Sequence, residues 1–325
     1  MRGIFVKANG SEMEAAIDNA IRLLQLGFPA GLGALAGAFR LFEDPRRAVD
    51  VLNRYALTFG FPALILRGLL QTKSLPDSLS FWLLWPLVLF LTLTGIRWLS
   101  PRGTAGTLAL VACFGNVAYL GLPYILTLFD SSIAGSAALA VSIHVTLAVT
   151  LGPLLLEMWG KENPGNWWVS VERVLRLPLF WAPLVGLGMR FLPITTRSTM
   201  LTWVQPIAGS AAPVALFLIG LHLYLERRRL AVFDKGLFLH LSIRQLIIPA
   251  LMLLLSAVAI SLGWLTSPLG RIQVILASMP AAITTFSMAH HAGLGEERVA
   301  GTIVWSSILA LVLLPGWSWL AGILL

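Results

Sequence analysis

The segment Ala112-Cys-Phe-Gly-Asn-Val-Ala-Tyr-Leu-Gly-Leu-Pro123 lies inside a stretch that is otherwise apolar enough to cross a bilayer. A Gly-Asn pair and a proline at that place free backbone groups that hydrocarbon cannot satisfy. Such a break persists only where protein or a water-filled cavity covers it. A second break, Ala277-Ser-Met-Pro-Ala-Ala-Ile-Thr-Thr-Phe286, occupies a matching place in the other half of the chain. Paired breaks in corresponding spans point to a transporter with its site near the bilayer midplane.

Outward from the two breaks, the chain is apolar almost throughout. Of its 325 residues 57% are hydrophobic and 12% charged, which excludes an ordinary soluble domain. A bilayer crossing needs about 20 apolar residues, and ten such runs are read: 20–39, 51–70, 81–99, 105–129, 134–159, 175–192, 201–223, 236–265, 272–289 and 299–325. The expected fold is an all-α polytopic membrane protein. A polar interval around Lys161-Glu-Asn-Pro-Gly-Asn166 separates five spans from five. An odd number per half makes the second half enter the membrane from the opposite side, so a structural repeat would be inverted. The expected organisation is an extracytoplasmic N-terminal segment (1–19), a first five-helix repeat (20–159), a cytoplasmic linker (160–174) and a second five-helix repeat (175–325). No cleavable signal peptide is read in the polar N-terminus. The single cysteine, Cys113, excludes an intrachain disulfide and a cysteine metal cluster.

The net charge of +8 is distributed as topology, not as a nucleic-acid surface. With ten spans both termini share a side, and that side carries seven basic residues against fifteen on the other. The positive-inside rule places the fifteen in the cytoplasm and both termini outside. The Arg227-Arg-Arg229 run then anchors the topology, with nothing interleaved for reading bases. Arg244, early in the eighth span, is expected to snorkel to the cytoplasmic interface, with contact to an incoming anion as the alternative.

The candidate site follows from the breaks. Helices that resume near Leu122 or Pro123, and after Pro280, would aim their N-terminal N–H groups and positive dipole ends at the midplane. With Gly115, Asn116, Thr284 and Thr285 they make a site for an anion, most simply a carboxylate. The plainer alternative is a pair of proline kinks repaired by neighbouring hydroxyls. Neither broken span contains Asp or Glu between 105 and 129 or between 272 and 289. A fixed carboxylate for sodium or protons is therefore missing where cation-coupled carriers place it. His144, central in the fifth span, is a further candidate, since it could change charge near neutral pH; its alternative is a neutral imidazole bonded to a helix neighbour. His290-His291 lack the further ligands a metal needs, and no metal or cofactor is expected.

At these residues the chain resembles the auxin efflux carrier family. Gly115-Asn116 with Leu120-Gly-Leu-Pro123 is similar to its fourth-span signature, and Pro280 through Phe286, Met288-Ala289 and Leu294-Gly-Glu-Glu297 to its ninth. The likeness extends through Leu52-Asn53 with Phe61-Pro-Ala63, Leu177-Pro178, Ala212-Pro213 with Gly220, and Gln245-Leu246 with Pro249. It implies ten helices in two inverted repeats, broken fourth and ninth helices crossing near the midplane, and elevator-type alternating access. It also implies small organic anions as substrates, Asn116 as a donor to the substrate carboxylate, Pro123 and Pro280 as crossover prolines, and a homodimer. Two departures stand out: Val117-Ala118 follows the asparagine, and Thr284 stands where bacterial members often carry a second asparagine, with fewer donors and less reach.

The leading expectation is therefore a secondary transporter of small organic anions in the cell membrane, partnered by its substrate and lipid and not by nucleic acid. The alternative is a sodium-coupled symporter of the related inverted-repeat type, with backbone carbonyls, Thr284 and Thr285 holding sodium. An enzyme would need paired carboxylates, a metal triad or a nucleophile with its base, and the spans supply none.

Overall fold

The computed structural model describes residues 27–71, 76–101, 103–129, 133–160, 172, 175–176, 178–227 and 233–325. The N-terminal segment and the centre of the linker lie outside them. Twelve helical pieces are seen among the described residues: α1 Gly27–Ala38, α2 Pro45–Gln71, α3 Leu79–Leu99, α4 Thr104–Cys113, α5 Val117–Leu128, α6 Ala134–Gly160, α7 Pro178–Met189, α8 Ile194–Leu225, α9 Lys235–Ser261, α10 Ser267–Ala277, α11 Thr284–Ala292 and α12 Glu296–Leu324. Six of these, α2, α3, α6, α8, α9 and α12, are long and apolar enough to cross a membrane. The chain is thus an all-helical polytopic membrane protein.

The long helices keep prolines, and the backbone shows how. In α2, α5 and α9 a single widened π-type turn (Ala56–Gly60, Val117–Gly121, Ile243–Ile247) stands immediately before a residue–proline pair: Phe61-Pro62, Leu122-Pro123, Ile248-Pro249. Proline has no N–H to donate and its ring crowds the carbonyl four residues back, so the coil expands before it. In α9 that carbonyl belongs to Gln245, and the Trp317 indole N–H of α12 donates to it at 3.0 Å. A group the proline would orphan is satisfied by a neighbouring helix.

Packing divides the helices into two groups. In one, α1, α2, α7 and α8 pack together. A Cβ on Gly33 would sit 1.9 Å from the Phe217 carbonyl oxygen, and one on Gly220 would sit 1.7 Å from that of Ala30, so α1 and α8 meet backbone to backbone through reciprocal glycines. The other group is α3, α4, α5, α6, α9, α10, α11 and α12. Contacts of α2 with α6, and of α5 with α8, join the two.

The two breaks are observed, but shorter than expected. In the first, only residues 114–116 leave the helix, and the coil resumes at Val117, so Pro123 lies inside α5 and not at the break. In the second, residues 278–283 separate α10 from α11. The breaks pair with each other in an antiparallel bridge between Gly115 and Ala281. The Asn116 N–H donates to the Pro280 carbonyl at 2.7 Å, and the Ala282 N–H donates to the Phe114 carbonyl at 3.0 Å. The Ala281 N–H donates to the Ser306 hydroxyl at 3.1 Å. Each break thus supplies hydrogen-bond partners to the other, which is why both can exist in an apolar setting.

A candidate anion site at the helix crossover

A crossing of two interrupted helices brings four helix ends together. The ends of α4 and α10 present carbonyls, the negative pole; the beginnings of α5 and α11 present N–H groups, the positive pole. The structure treats the two poles differently.

The carbonyl ends are taken by Arg244. This residue lies in the widened turn of α9, and it is fully buried, not drawn to an interface as its sequence position suggested. Its Nε donates to the Met279 carbonyl at 2.8 Å, Nη1 to Ala112 at 3.1 Å and Nη2 to Ala277 at 3.2 Å. One guanidinium therefore caps both broken helices. Among the described residues no ion pair includes it, so its charge is answered by carbonyl dipoles alone. Its depth was available in the sequence: nine residues past Lys235 is about 13 Å along a helix axis, close to half of a hydrocarbon layer about 30 Å thick. That is too deep to be discounted as an interfacial arginine.

The N–H ends open onto a cavity of about 160 Å³, lined by Gly115, Asn116, Tyr119, His144, Thr284 and Met288, with Leu57 and other apolar side chains completing the wall. Among the described residues, the backbone N–H groups at 117–119 and 283–284 have no acceptor outside their own helices. The Asn116 carbonyl accepts from the N–H groups of Leu120 and Gly121, while its side-chain amide bonds no described residue and is left to the cavity. Among the described residues no Asp or Glu lines the wall. Behind it, a Cβ on Gly115 would lie 2.2 Å from Nη2 of Arg244, so a single glycine separates the cavity from the cation. Orphan N–H groups, an unengaged amide and a nearby fixed positive charge make an anion-binding environment.

Of the residues singled out from the sequence, Gly115, Asn116, His144 and Thr284 come together on this wall. Thr285 does not: it is buried behind α11 and its hydroxyl donates to the Ala282 carbonyl at 2.6 Å. Pro280 contributes its carbonyl to the Asn116 N–H and is not in the lining. Pro123 is buried in α5, also away from the cavity. His144 bonds not a neighbour on its own helix but Gln273 of α10, with Nε2 3.2 Å from Oε1. Its ring stacks on Trp85 of α3, centroids 3.8 Å apart and planes within 7°. Reading the sequence did not reveal Trp85 or Gln273, and it gave Asn53 of α2 only as part of the family likeness and not as the residue whose side-chain oxygen accepts the Tyr119 hydroxyl. Each is a polar or aromatic residue in an apolar run, and only the packing shows what it touches. Of the His290-His291 pair, His290 bonds Glu296 at the exposed start of α12. No group of three metal-ligating side chains occurs among the described residues. Larger hollows, such as those beside Trp264 and beside Phe42, are open apolar grooves away from the crossover.

Comparison with known proteins places these features in context. A family model described as membrane transport protein matches residues 21–166 and 168–318. A protein of Rhizobium meliloti (strain 1021) named "putative malonate transporter" is 24% identical over 296 residues, 85% of this chain and 88% of its own length. A protein of Methanothermobacter thermautotrophicus named "uncharacterized transporter" is 29% identical over 281 residues, 83% of this chain and 88% of its own.

Proposed function

We propose that this chain, which belongs to the membrane transport protein family of the auxin efflux carriers, moves small organic anions across the cell membrane by alternating access. The observation that carries the proposal is the division of labour at the crossover: one buried arginine takes the carbonyl ends, leaving the N–H ends and the Asn116 amide to a cavity without acids. A carboxylate is the simplest group that completes such a site. Size narrows the choice. A cavity of about 150 Å³ accepts a molecule of benzene's bulk, so the 160 Å³ here suits an acid of a few carbons, and not an aromatic acid with two fused rings, in this conformation. Malonate is a reasonable first candidate, because a relative carries that name.

The two helix groups provide the parts for alternating access. Leu57 of α2 belongs to one group, the rest of the cavity wall largely to the other, so the site lies where the groups meet. Sliding of one past the other would carry the site between the two faces. In the same reading the helices form two inverted five-helix repeats, with the crossover near the midplane, both termini extracytoplasmic and a homodimer as the assembly; the protein performs no catalysis.

Sodium coupling is the alternative, and Arg244 speaks against it. Coupling sodium in broken-helix carriers binds to unwound carbonyls and helix C-terminal ends. Here the carbonyls of Ala112, Ala277 and Met279 already receive a tethered cation. Efflux of a monoanion from a negative interior would gain about 2.3 kcal/mol per 100 mV without any coupling ion. The test is flux in liposomes together with calorimetric binding of malonate and other short acids to purified protein. Flux should survive replacement of sodium by potassium, and binding should weaken at least about tenfold in Asn116→Ala. Flux that vanishes without sodium, or binding indifferent to Asn116→Ala, would refute the respective part.

A further inference from the structure

We infer that the occupant of the crossover cavity presents a hydrogen-bond donor to Nδ1 of His144, so that the favoured substrate is an acid with one anionic carboxylate and one O–H or N–H group. The inference rests on the cavity being the anion site, and it names which anions that site selects.

The argument begins two residues away. Gln273 is fully buried, and its Nε2 donates to the Phe81 carbonyl at 3.0 Å. An amide nitrogen only donates and an amide oxygen only accepts, so that bond fixes which atom of Gln273 faces His144. It is Oε1, 3.2 Å from Nε2. Nε2 must therefore carry the hydrogen, and in the neutral imidazole Nδ1 is left with a bare lone pair. The ring cannot easily turn to exchange the two nitrogens, because it is stacked on Trp85 and 2% exposed. Nδ1 is itself buried and has no hydrogen-bond partner among the described residues.

His144 belongs to the same cavity wall as Asn116 and Thr284. The other titratable groups on that wall are Cys113 and Tyr119, neither of which donates to it: the Tyr119 hydroxyl is spent on Asn53. The charge that reaches the ring is that of Arg244, whose donors go to carbonyls. One side of the site thus offers donors (Asn116 and the orphan N–H groups), and His144 on the same wall holds an unpartnered acceptor that a bound molecule reaches by displacing the side chains covering it. A fully ionised carboxylate at the His144 side would set lone pair against lone pair. A hydroxyl, an amide or a protonated carboxyl would complete the bond, and a site built around such a group discriminates strongly against analogues that lack it.

Two monoanions of nearly the same size test this. Malonamate carries an N–H donor beside its carboxylate; monomethyl malonate carries only acceptors, and neither changes charge near neutral pH. By calorimetry on the intact wild-type protein, malonamate should bind at least about tenfold tighter, equivalent to about 1.4 kcal/mol. The preference should fall to near unity in His144→Phe, which retains a flat ring against Trp85. It should also fall in Gln273→Met, which keeps the imidazole but releases its tautomer. Equal affinity of the two anions for wild type overturns the donor requirement and leaves the anion site standing. A preference that persists in both variants overturns the assignment to His144. Failure of both anions and of malonate to bind wild type removes the anion reading, and this inference with it.

Discussion

Gly115 has no room for a side chain, because the end of the Arg244 guanidinium occupies the place where a Cβ would go, 2.2 Å from Nη2. That guanidinium cannot retreat without loosening its bonds to Met279, Ala112 and Ala277. Gly115→Ala should therefore destabilise the protein by about 1–3 kcal/mol, the usual range for overpacking a tight interior. Thermal unfolding in detergent measures it. If the arginine is the cause, shortening it should relieve the clash: Gly115→Ala with Arg244→Lys should cost clearly less than the sum of the two single changes, since contacting residues couple. Strict additivity would mean that the glycine serves some other purpose. The sequence shows the Gly-Asn pair as a break but gives no reason for that glycine, which lies in an arginine 129 positions further on. Asn116, Thr284 and His144 were legible because a polar residue within an apolar run is conspicuous. Thr285 was conspicuous for the same reason and Pro123 as a helix breaker, yet both face elsewhere, since a one-dimensional pattern does not say to which side of a helix a residue turns.

At the level of single helices, proline is readable and its consequences are not. The prolines at 62, 123 and 249 each follow a widened turn, which shifts the faces of everything beyond it relative to a regular helix. Arg244 sits in such a turn: the straight-helix rise gives its depth, but not that it turns onto the ends of two broken helices. The same turn predicts a dependence of α9 on α12. Trp317→Phe keeps the aromatic bulk but removes the donor to the Gln245 carbonyl; the orphaned group should cost about 1–3 kcal/mol. Pro249→Ala returns an N–H to the coil, so the Trp317→Phe penalty should shrink in that background. The start of α9 gives a pH prediction. Asp234 caps it, its carboxylate accepting from the Leu237 N–H at 2.6 Å and from Arg298 at 3.0 Å, which hold its pKa below the ordinary carboxylate value. A carboxyl with a depressed folded-state pKa stabilises fully above the unfolded value and loses that contribution as pH falls through the folded one. The melting temperature of Asp234→Ala should thus lie below wild type at pH 7. The part of that gap due to ionisation should close as pH drops below about 4.

The whole molecule turns on whether the two helix groups move against each other, and the glycine contacts show where to test it. Gly68 of α2 faces Ala138 of α6 across the boundary between the groups, with an added Cβ 3.0 Å from the Ala138 Cβ. Gly60 of α2 faces Ala211 of α8 within one group, with the corresponding separation 3.2 Å. Both are a few tenths of an ångström short of the Cβ–Cβ spacing of a disulfide, about 3.5–4.5 Å, so either pair can be bridged with a small adjustment. The single native cysteine, Cys113, is buried on the cavity wall and would be replaced by alanine first, with binding checked in that background. Oxidising Gly68→Cys/Ala138→Cys should arrest flux by tenfold or more and restore it on reduction, because a bond across a sliding boundary holds one conformation. Oxidising Gly60→Cys/Ala211→Cys should leave flux within about twofold, because it joins helices that travel together. Anion binding, which needs only one conformation, should survive the first bridge even as transport stops. Flux that continues through a fully formed Gly68–Ala138 bridge would mean that access alternates by rearrangement inside the second group, with α5 and α11 moving against Arg244 and not with it.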